Sequence, residues 1–325
     1  IGKNPVANNA YVVTESRYIP KFHGAKVPPS GSTFFSPTHL VIVAVLLGKK
    51  RDIMANTPQV RFSDTLPADE ISKELLPVVK ALGVQKNCEE LATEGWTILE
   101  NAVTPDFIAS LRRAILDHSR KGGANMLLDK NEIFVATALH PKLMALAEFS
   151  VGRGFLLSQV AASVRHKGSP CIGLHADHNW LPAPFPSHNM LLTACWACDE
   201  YSETKGATLI VPGSGAERRH PSEKECNELK GAIPIECSAG SVVLWDGNIW
   251  HSNYPRTAEG ERVVCHVTYS RLMMRPVENY SASKRRLIDS HGDRMAQLLG
   301  EDDFLDSPEG ADYSKLLQTF NNAKR

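Results

Sequence analysis

Three side chains in this sequence have the types and the spacing to hold a transition metal. His175 and Asp177 stand at i and i+2 in Gly173-Leu174-His175-Ala176-Asp177-His178-Asn179-Trp180. Side chains alternate between the faces of a strand, so an extended backbone puts this imidazole and this carboxylate on one side, roughly 7 Å apart. His251 comes after a second strand-like run, Ser241-Val242-Val243-Leu244-Trp245, and the turn Asp246-Gly247-Asn248. From across a barrel it can supply a second imidazole. Two imidazoles and one carboxylate leave coordination positions open, which is the donor set of a non-haem Fe(II) oxygenase. A His-x-Asp pair alone arises often by chance; the third donor and the arginine downstream of it give the set its weight.

Arg262 lies eleven positions after His251 and heads the alternating run Arg262-Val263-Val264-Cys265-His266-Val267-Thr268-Tyr269. An arginine on an otherwise apolar strand is costly to bury unless it meets an anion. Its planar guanidinium suits a bidentate grip on a carboxylate. An ion pair with an acidic side chain is the plainer reading of the same residue.

With these residues stand Thr193-Ala194-Cys195-Trp196-Ala197-Cys198-Asp199, Gly206-Ala207-Thr208-Leu209-Ile210-Val211-Pro212-Gly213-Ser214 and Gly240-Ser241-Val242. Taken in order, the set resembles the phytanoyl-CoA dioxygenase family of Fe(II)- and 2-oxoglutarate-dependent oxygenases, over roughly residues 87 to 275. The resemblance implies that His175, Asp177 and His251 are iron ligands and that Arg262 clamps the distal carboxylate of 2-oxoglutarate. It places Trp196 near that cosubstrate and gives Asn253 the second contact to it, at a position where the family often has Ser. It also implies use of O2, release of succinate and CO2, and hydroxylation of the substrate. Asp177 argues against halogenation, because related halogenating enzymes lack this carboxylate. Gly215 stands where the family often has His, away from the metal set.

The segments that must carry these residues read as strands between turns. Phe155 to Arg165 leads into the metal motif, and from there to Ser270 short strands alternate with Gly, Pro and Asn turns, the signature of a jelly roll or cupin-like barrel. Apolar residues at helical spacing precede it: Ile71, Leu75, Leu76, Val79 and Leu82 before Gly83, then Phe107, Leu111 and Ile115 behind Thr104-Pro105 as N-cap and first helical residue. A short strand at Gly95 to Leu99 lies between them, and a further helix is expected over 141–149. The fold class is therefore mainly β with flanking helices, a double-stranded β-helix core. The expected organisation is an oxygenase domain over 54–280, with a C-terminal helical tail over 281–325 packed on it. Residues 1–53 read as a disordered or non-native extension. Their apolar run Leu40 to Leu47 is too short to span a bilayer, which needs about 20 residues, and Met54 has the look of an initiator.

The 325 residues carry 36 basic and 36 acidic side chains, so no basic excess exists to neutralise nucleic-acid phosphates. Seven scattered cysteines suggest free thiols in a reducing compartment, and cytoplasm is the default expectation. The expected partner is a small molecule, with no membrane span. The loop Asn179 to Pro186 begins two residues after Asp177, and its Trp180, Leu181 and Phe185 are expected to form a substrate entrance for a largely hydrophobic compound. Capping of the barrel mouth is the plainer role for these three. Arg165-His166-Lys167 could hold an anion, and a solvated turn is the simpler reading. Three other readings compete: a zinc-dependent hydrolase on the same ligands, which gives no account of Arg262; a non-catalytic cupin-like binding protein, which would not turn over 2-oxoglutarate; and a sugar epimerase or seed-storage-like barrel, which would usually show a different ligand order.

Overall fold

The computed structural model describes residues 69–120 and 122–301. The expectations for residues 1–53, and for the tail beyond Glu301, fall outside the described residues. Two short helices, α1 (Leu76–Leu82) and α2 (Gln85–Thr93), precede strand β1 (Trp96–Leu99). Gly83 ends α1 in the left-handed region at φ 66°, where a side chain would be strained. Helix α3 (Pro105–His118) starts as its sequence predicts: the Thr104 side chain accepts from the Phe107 backbone N–H, and Pro105 opens the first turn. After β2 (Gly123–Ala124) come α4 (Glu132–Ala138), capped by Asn131, and α5 (Pro141–Val151). Most of α5 is buried, because it runs beneath the sheet.

The sheet itself is built from β3 (Leu156–His166), β4 (Leu191–Ala197), β7 (Val242–Asp246) and β9 (Glu261–Ser270), in the antiparallel order β1-β7-β4-β9-β3-β2. A smaller sheet pairs β6 (Ile233–Pro234), β5 (Thr208–Ile210) and β8 (His251–Asn253). One antiparallel bridge, His175 to His251, ties the metal motif to β8.

The larger sheet has two unlike faces. Outward point Val160, Ala162 and Val164 of β3, Leu192, Ala194 and Trp196 of β4, and Val263, Cys265, Val267 and Tyr269 of β9. They form one core with Leu111 and Ile115 of α3, Phe134 of α4 and Leu143 and Leu146 of α5. Inward point Gln159, Ser163 and Arg165 of β3, Thr193 of β4, and Arg262, His266 and Thr268 of β9, which line a cavity. Strict alternation would put Leu157 on the inner face with Gln159. A register shift between Leu157 and Gln159 turns Leu157 outward into the core, as an extra residue in one strand does. The bulged Ser158 accepts Val277 and Glu278 backbone N–H groups through its hydroxyl and carbonyl.

Helices α7 (Lys284–His291) and α8 (Asp293–Leu298) add Leu287, Ile288, Met295 and Leu298 to the same core. The polar insertion 212–234 forms a 3-10 turn (Ser214–Glu217) and α6 (Glu223–Glu228), started by a reciprocal Ser222–Glu225 cap. No helix among the described residues is long and apolar enough to cross a membrane. Among the described residues Cys171, Cys195, Cys198, Cys226, Cys237 and Cys265 are free thiols, and Cys195 and Cys198 belong to separate buried clusters.

Candidate metal centre

His175 is not in a strand. It sits at an isolated bridge, and the chain turns at once, with the Asn179 N–H reaching the Asp177 carbonyl at 2.7 Å and the Leu181 N–H the His178 carbonyl at 3.1 Å. The i, i+2 relation still delivers both donors to one side. His175 Nε2 lies 3.7 Å from Asp177 Oδ1, and His251 Nε2 lies 3.4 Å from the same oxygen. Ligand atoms of all three fall within 4.8 Å of one another.

The atoms around this trio decide which of its own atoms are available. Each imidazole directs Nδ1 at a carbonyl two residues back, His175 to Gly173 at 2.8 Å and His251 to Ile249 at 3.0 Å. A carbonyl can only accept, so both Nδ1 atoms carry a proton and the Nε2 atoms are the ones left to bind a metal. The Asp177 Oδ2 accepts from Thr193 Oγ1 at 2.8 Å and Trp245 Nε1 at 3.0 Å, which leaves Oδ1 for a cation. Burial works to raise the Asp177 carboxyl, but the imidazoles of His251 and His175 and the Thr193 hydroxyl hold it well below the usual range. Burial, reinforced by His251, lowers His175. Burial works to lower His251 too, but the Asp177 carboxylate beside it raises it. A cation that displaces the proton from Nε2 meets one carboxylate and two imidazole nitrogens, a donor set that fits a divalent iron.

From the trio a cavity of about 210 Å³ extends to Arg262. Arg262 is 4 % exposed. Its Nη1 donates to the Gly206 carbonyl, its guanidinium carbon lies 5.0 Å over the Tyr201 ring, and its Nε is buried with no partner. A buried guanidinium with an orphaned N–H fits a carboxylate ligand that completes it. The ion pair with an acidic side chain is not present: no Arg262 salt bridge occurs among the described residues. His266 stands between, with Ser163 Oγ at 3.2 Å from Nε2 and Cys195 Sγ at 3.0 Å from Nδ1. Burial, with Arg262 nearby, pushes it down to about 4.

Several expectations are corrected by these positions. Trp196 is fully buried on the outer face, against Phe107 at 5.8 Å and His140 at 5.3 Å between ring centroids. It does not line the cavity; the alternation of β4 turns Thr193 and Cys195 inward and Trp196 away. Phe185 is no entrance residue either. It is fully buried in a small cluster with Leu174, Ala176, Leu209 and Trp250, edge-on to His178 and His220. Leu181 packs partly on that cluster, while Trp180 is 70 % exposed, and neither is among the cavity's lining residues. Asn253 does line the cavity, but it also braces the chain, accepting from the Ile172 N–H at 3.0 Å and donating to the Tyr254 carbonyl at 2.8 Å. Arg165, read as part of a solvated turn, lines the cavity opposite Arg262. Thr193, Trp245 and His266 were not singled out from the sequence; pairing of β4 with β7 and β9 is the information that would have found them.

A wider groove of about 620 Å³ lies near Met273, Val277 and Leu298. It shares no residue with the metal centre, so the chemistry belongs to the smaller cavity.

A dioxygenase of Aspergillus fumigatus, af480, is 29% identical over 164 residues, covering 50% of this chain and 52% of that protein. The chain spans about half the length of the curated relatives it matches. Among solved structures, HygX from Streptomyces hygroscopicus with nickel, 2-oxoglutarate and hygromycin B bound superposes with a TM-score of 0.51 at 15% identity, over 63% of this chain and 90% of that one. The epimerase SnoN in complex with Fe3+, alpha-ketoglutarate and nogalamycin RO gives 0.51 at 16%, over 61% and 88%. Such identities establish the fold and nothing finer. The phytanoyl-CoA dioxygenase family model matches residues 78–264, more than half of the sequence and the whole of the metal centre, and the chain belongs to that family.

Proposed function

We propose that this protein is an Fe(II)- and 2-oxoglutarate-dependent dioxygenase that hydroxylates a small organic substrate. The observation that carries the reading is the pair of ends of one cavity: three donors freed for a metal at His175, Asp177 and His251, and an incompletely partnered guanidinium at Arg262. When bound there, iron(II) and 2-oxoglutarate supply an oxidant from O2, with succinate and CO2 released.

The chain's own residues bind and orient. Gly173 and Ile249 carbonyls fix the imidazole tautomers, Thr193 and Trp245 fix the carboxylate, and Arg262 fixes the far end of the cosubstrate. Asn253 holds the Ile172 segment that borders the cavity. The expectation of a largely hydrophobic substrate finds little support in the lining, where Ile172 and Trp245 are the large apolar side chains among Gln, Ser, Thr, Asn, His and Arg. A zinc hydrolase on the same ligands leaves the buried Arg262 without a task.

The test is anaerobic titration with Fe(II) and 2-oxoglutarate, followed by exposure to O2 and measurement of succinate. One iron per chain and succinate formation are expected, both lost in Asp177→Ala while the fold persists. Full turnover in that variant would sink the assignment.

A further inference from the structure

Arg165 and Arg262 are directly opposed residues of the antiparallel β3–β9 pair. Both side chains line the cavity. Directly facing like charges destabilise a sheet, and neither arginine has a carboxylate within ion-pairing distance among the described residues. Arg165 donates through Nη1 to the Pro170 carbonyl at 2.7 Å, a neutral acceptor that leaves its charge uncompensated. Burial and the Arg262 charge both weaken its hold on its proton, which is the signature of two cations sharing one low-dielectric space.

The proposed cosubstrate can satisfy only one of them. Asp177 is the one acidic side chain lining the cavity. Against it and a doubly charged 2-oxoglutarate stand the two charges of iron(II) and the two arginines, so one positive charge remains over. The two guanidiniums also differ in depth. Arg262 is buried, whereas Arg165 is half-buried near the end of β3. The outer of two cations is the one that an incoming molecule meets.

We propose that Arg165 is the substrate-recognition residue of this site and that the substrate is a singly charged organic carboxylate, whose carboxylate it grips. This rests on the reading of the cavity as a 2-oxoglutarate site. It replaces the expectation of a largely hydrophobic substrate with that of an organic acid, and it assigns the fork geometry of the guanidinium to the acid group. The hydrophobic remainder of such an acid then lies toward Ile172 and Trp245, which line the same cavity.

The experiment is calorimetric binding under anaerobic conditions to the full chain loaded with Fe(II) and 2-oxoglutarate. The probes are hexanoate, benzoate and phenylacetate, each against its uncharged amide. The expected result is saturable binding of at least one acid, ten-fold or more tighter than its amide. Arg165→Gln abolishes that preference, Arg165→Lys keeps part of it, and Arg165→Gln loses less affinity for 2-oxoglutarate than for the acid. Absence of binding by all three acids, or equal affinity for acid and amide, overturns the proposal. So does a loss of 2-oxoglutarate affinity in Arg165→Gln as large as the loss for the acid, because Arg165 then belongs to the cosubstrate. Failure of the wild-type chain to bind 2-oxoglutarate at all refutes the dioxygenase reading itself and this proposal with it, and it is seen before any acid is added.

Discussion

The two faces of the larger sheet come from the same strands and have opposite chemistry. On β4, Trp196 and Cys195 are neighbours in sequence, yet one is locked in the helix-packed core and the other touches His266 in the cavity. On β9, Val263, Cys265, Val267 and Tyr269 face the helices, while Arg262, His266 and Thr268 face the site. A strand two-sided in this way separates stability from function by a single residue step. Substitutions on the inner face should therefore change binding with little change in stability, and those on the outer face should do the reverse.

The largest inner-face effect is expected at Arg262. Truncating one partner of a buried charge pair costs about 3–5 kcal/mol, or roughly two to four orders of magnitude in 2-oxoglutarate affinity. Arg262→Gln should still take up one Fe(II) and melt near the wild-type temperature, as titration calorimetry and thermal unfolding would report. A variant that binds 2-oxoglutarate normally would remove the clamp from the site.

Trp196→Ala is the matching outer-face change. A fully buried indole truncated to a methyl costs about 3–5 kcal/mol of stability, read as a lower urea midpoint. Under native conditions the folded fraction should bind 2-oxoglutarate as tightly as wild type, since Trp196 touches Phe107 and His140 and not the cavity. Weaker cosubstrate binding by protein that remains folded would return Trp196 to the role its sequence context suggests.

That residue shows how far the sequence could be read. The His175, Asp177 and His251 donors were legible because their types are rare and their spacing is local or fixed by one turn. Arg262 was legible because a charge interrupts an apolar strand. Trp196 was misplaced since its type is at home beside a ligand or in a core, and only strand pairing tells the two apart. Arg165 hid for a related reason: the shift at Ser158 and the pairing with Arg262 are both invisible along a single strand. Phe185 lies near Asp177 in sequence, but chain proximity says nothing about which side of a loop is buried. The barrel and its flanking helices were readable throughout, because capping residues and alternation are local signals.

His266 tests whether the inner face adds its own cost. Held neutral, with its pKa pushed down to about 4, it gains a proton far more readily in the unfolded chain, where the value is about 6.5. The unfolded state therefore binds the proton first as pH falls, so stability is full above about 6.5 and declines toward 4. Each pH unit in that window removes about 1.4 kcal/mol. Between pH 7.5 and 5 the wild type should lose about 2 kcal/mol more than His266→Gln in urea unfolding. Parallel losses in the two proteins would show that His266 does not set this dependence.

An effect of similar size, and the sharpest for the comparison, belongs to Thr193→Val. The substitution keeps volume and strand propensity and removes one donor, the hydroxyl that holds Asp177 Oδ2 at 2.8 Å. Trp245 Nε1 remains on that oxygen at 3.0 Å, so the carboxylate is loosened and not released. Groups that hold a metal ligand in place typically contribute about ten- to a hundred-fold to metal affinity. Anaerobic Fe(II) titration should register a loss in that range, and Thr193→Ser should recover most of it by restoring the hydroxyl. Thermal stability should fall less than in Trp196→Ala, because no cavity is opened and the Asp177 oxygens keep other partners, although the 3.4 Å contact of Thr193 Oγ1 with Thr268 Oγ1 is also lost. Thr193 pairs across β4–β9 with Thr268 and across β4–β7 with Trp245, so a stability loss as large as that of Trp196→Ala would mean that the inner face also carries the fold. The division of labour between the faces would then be one of polarity alone.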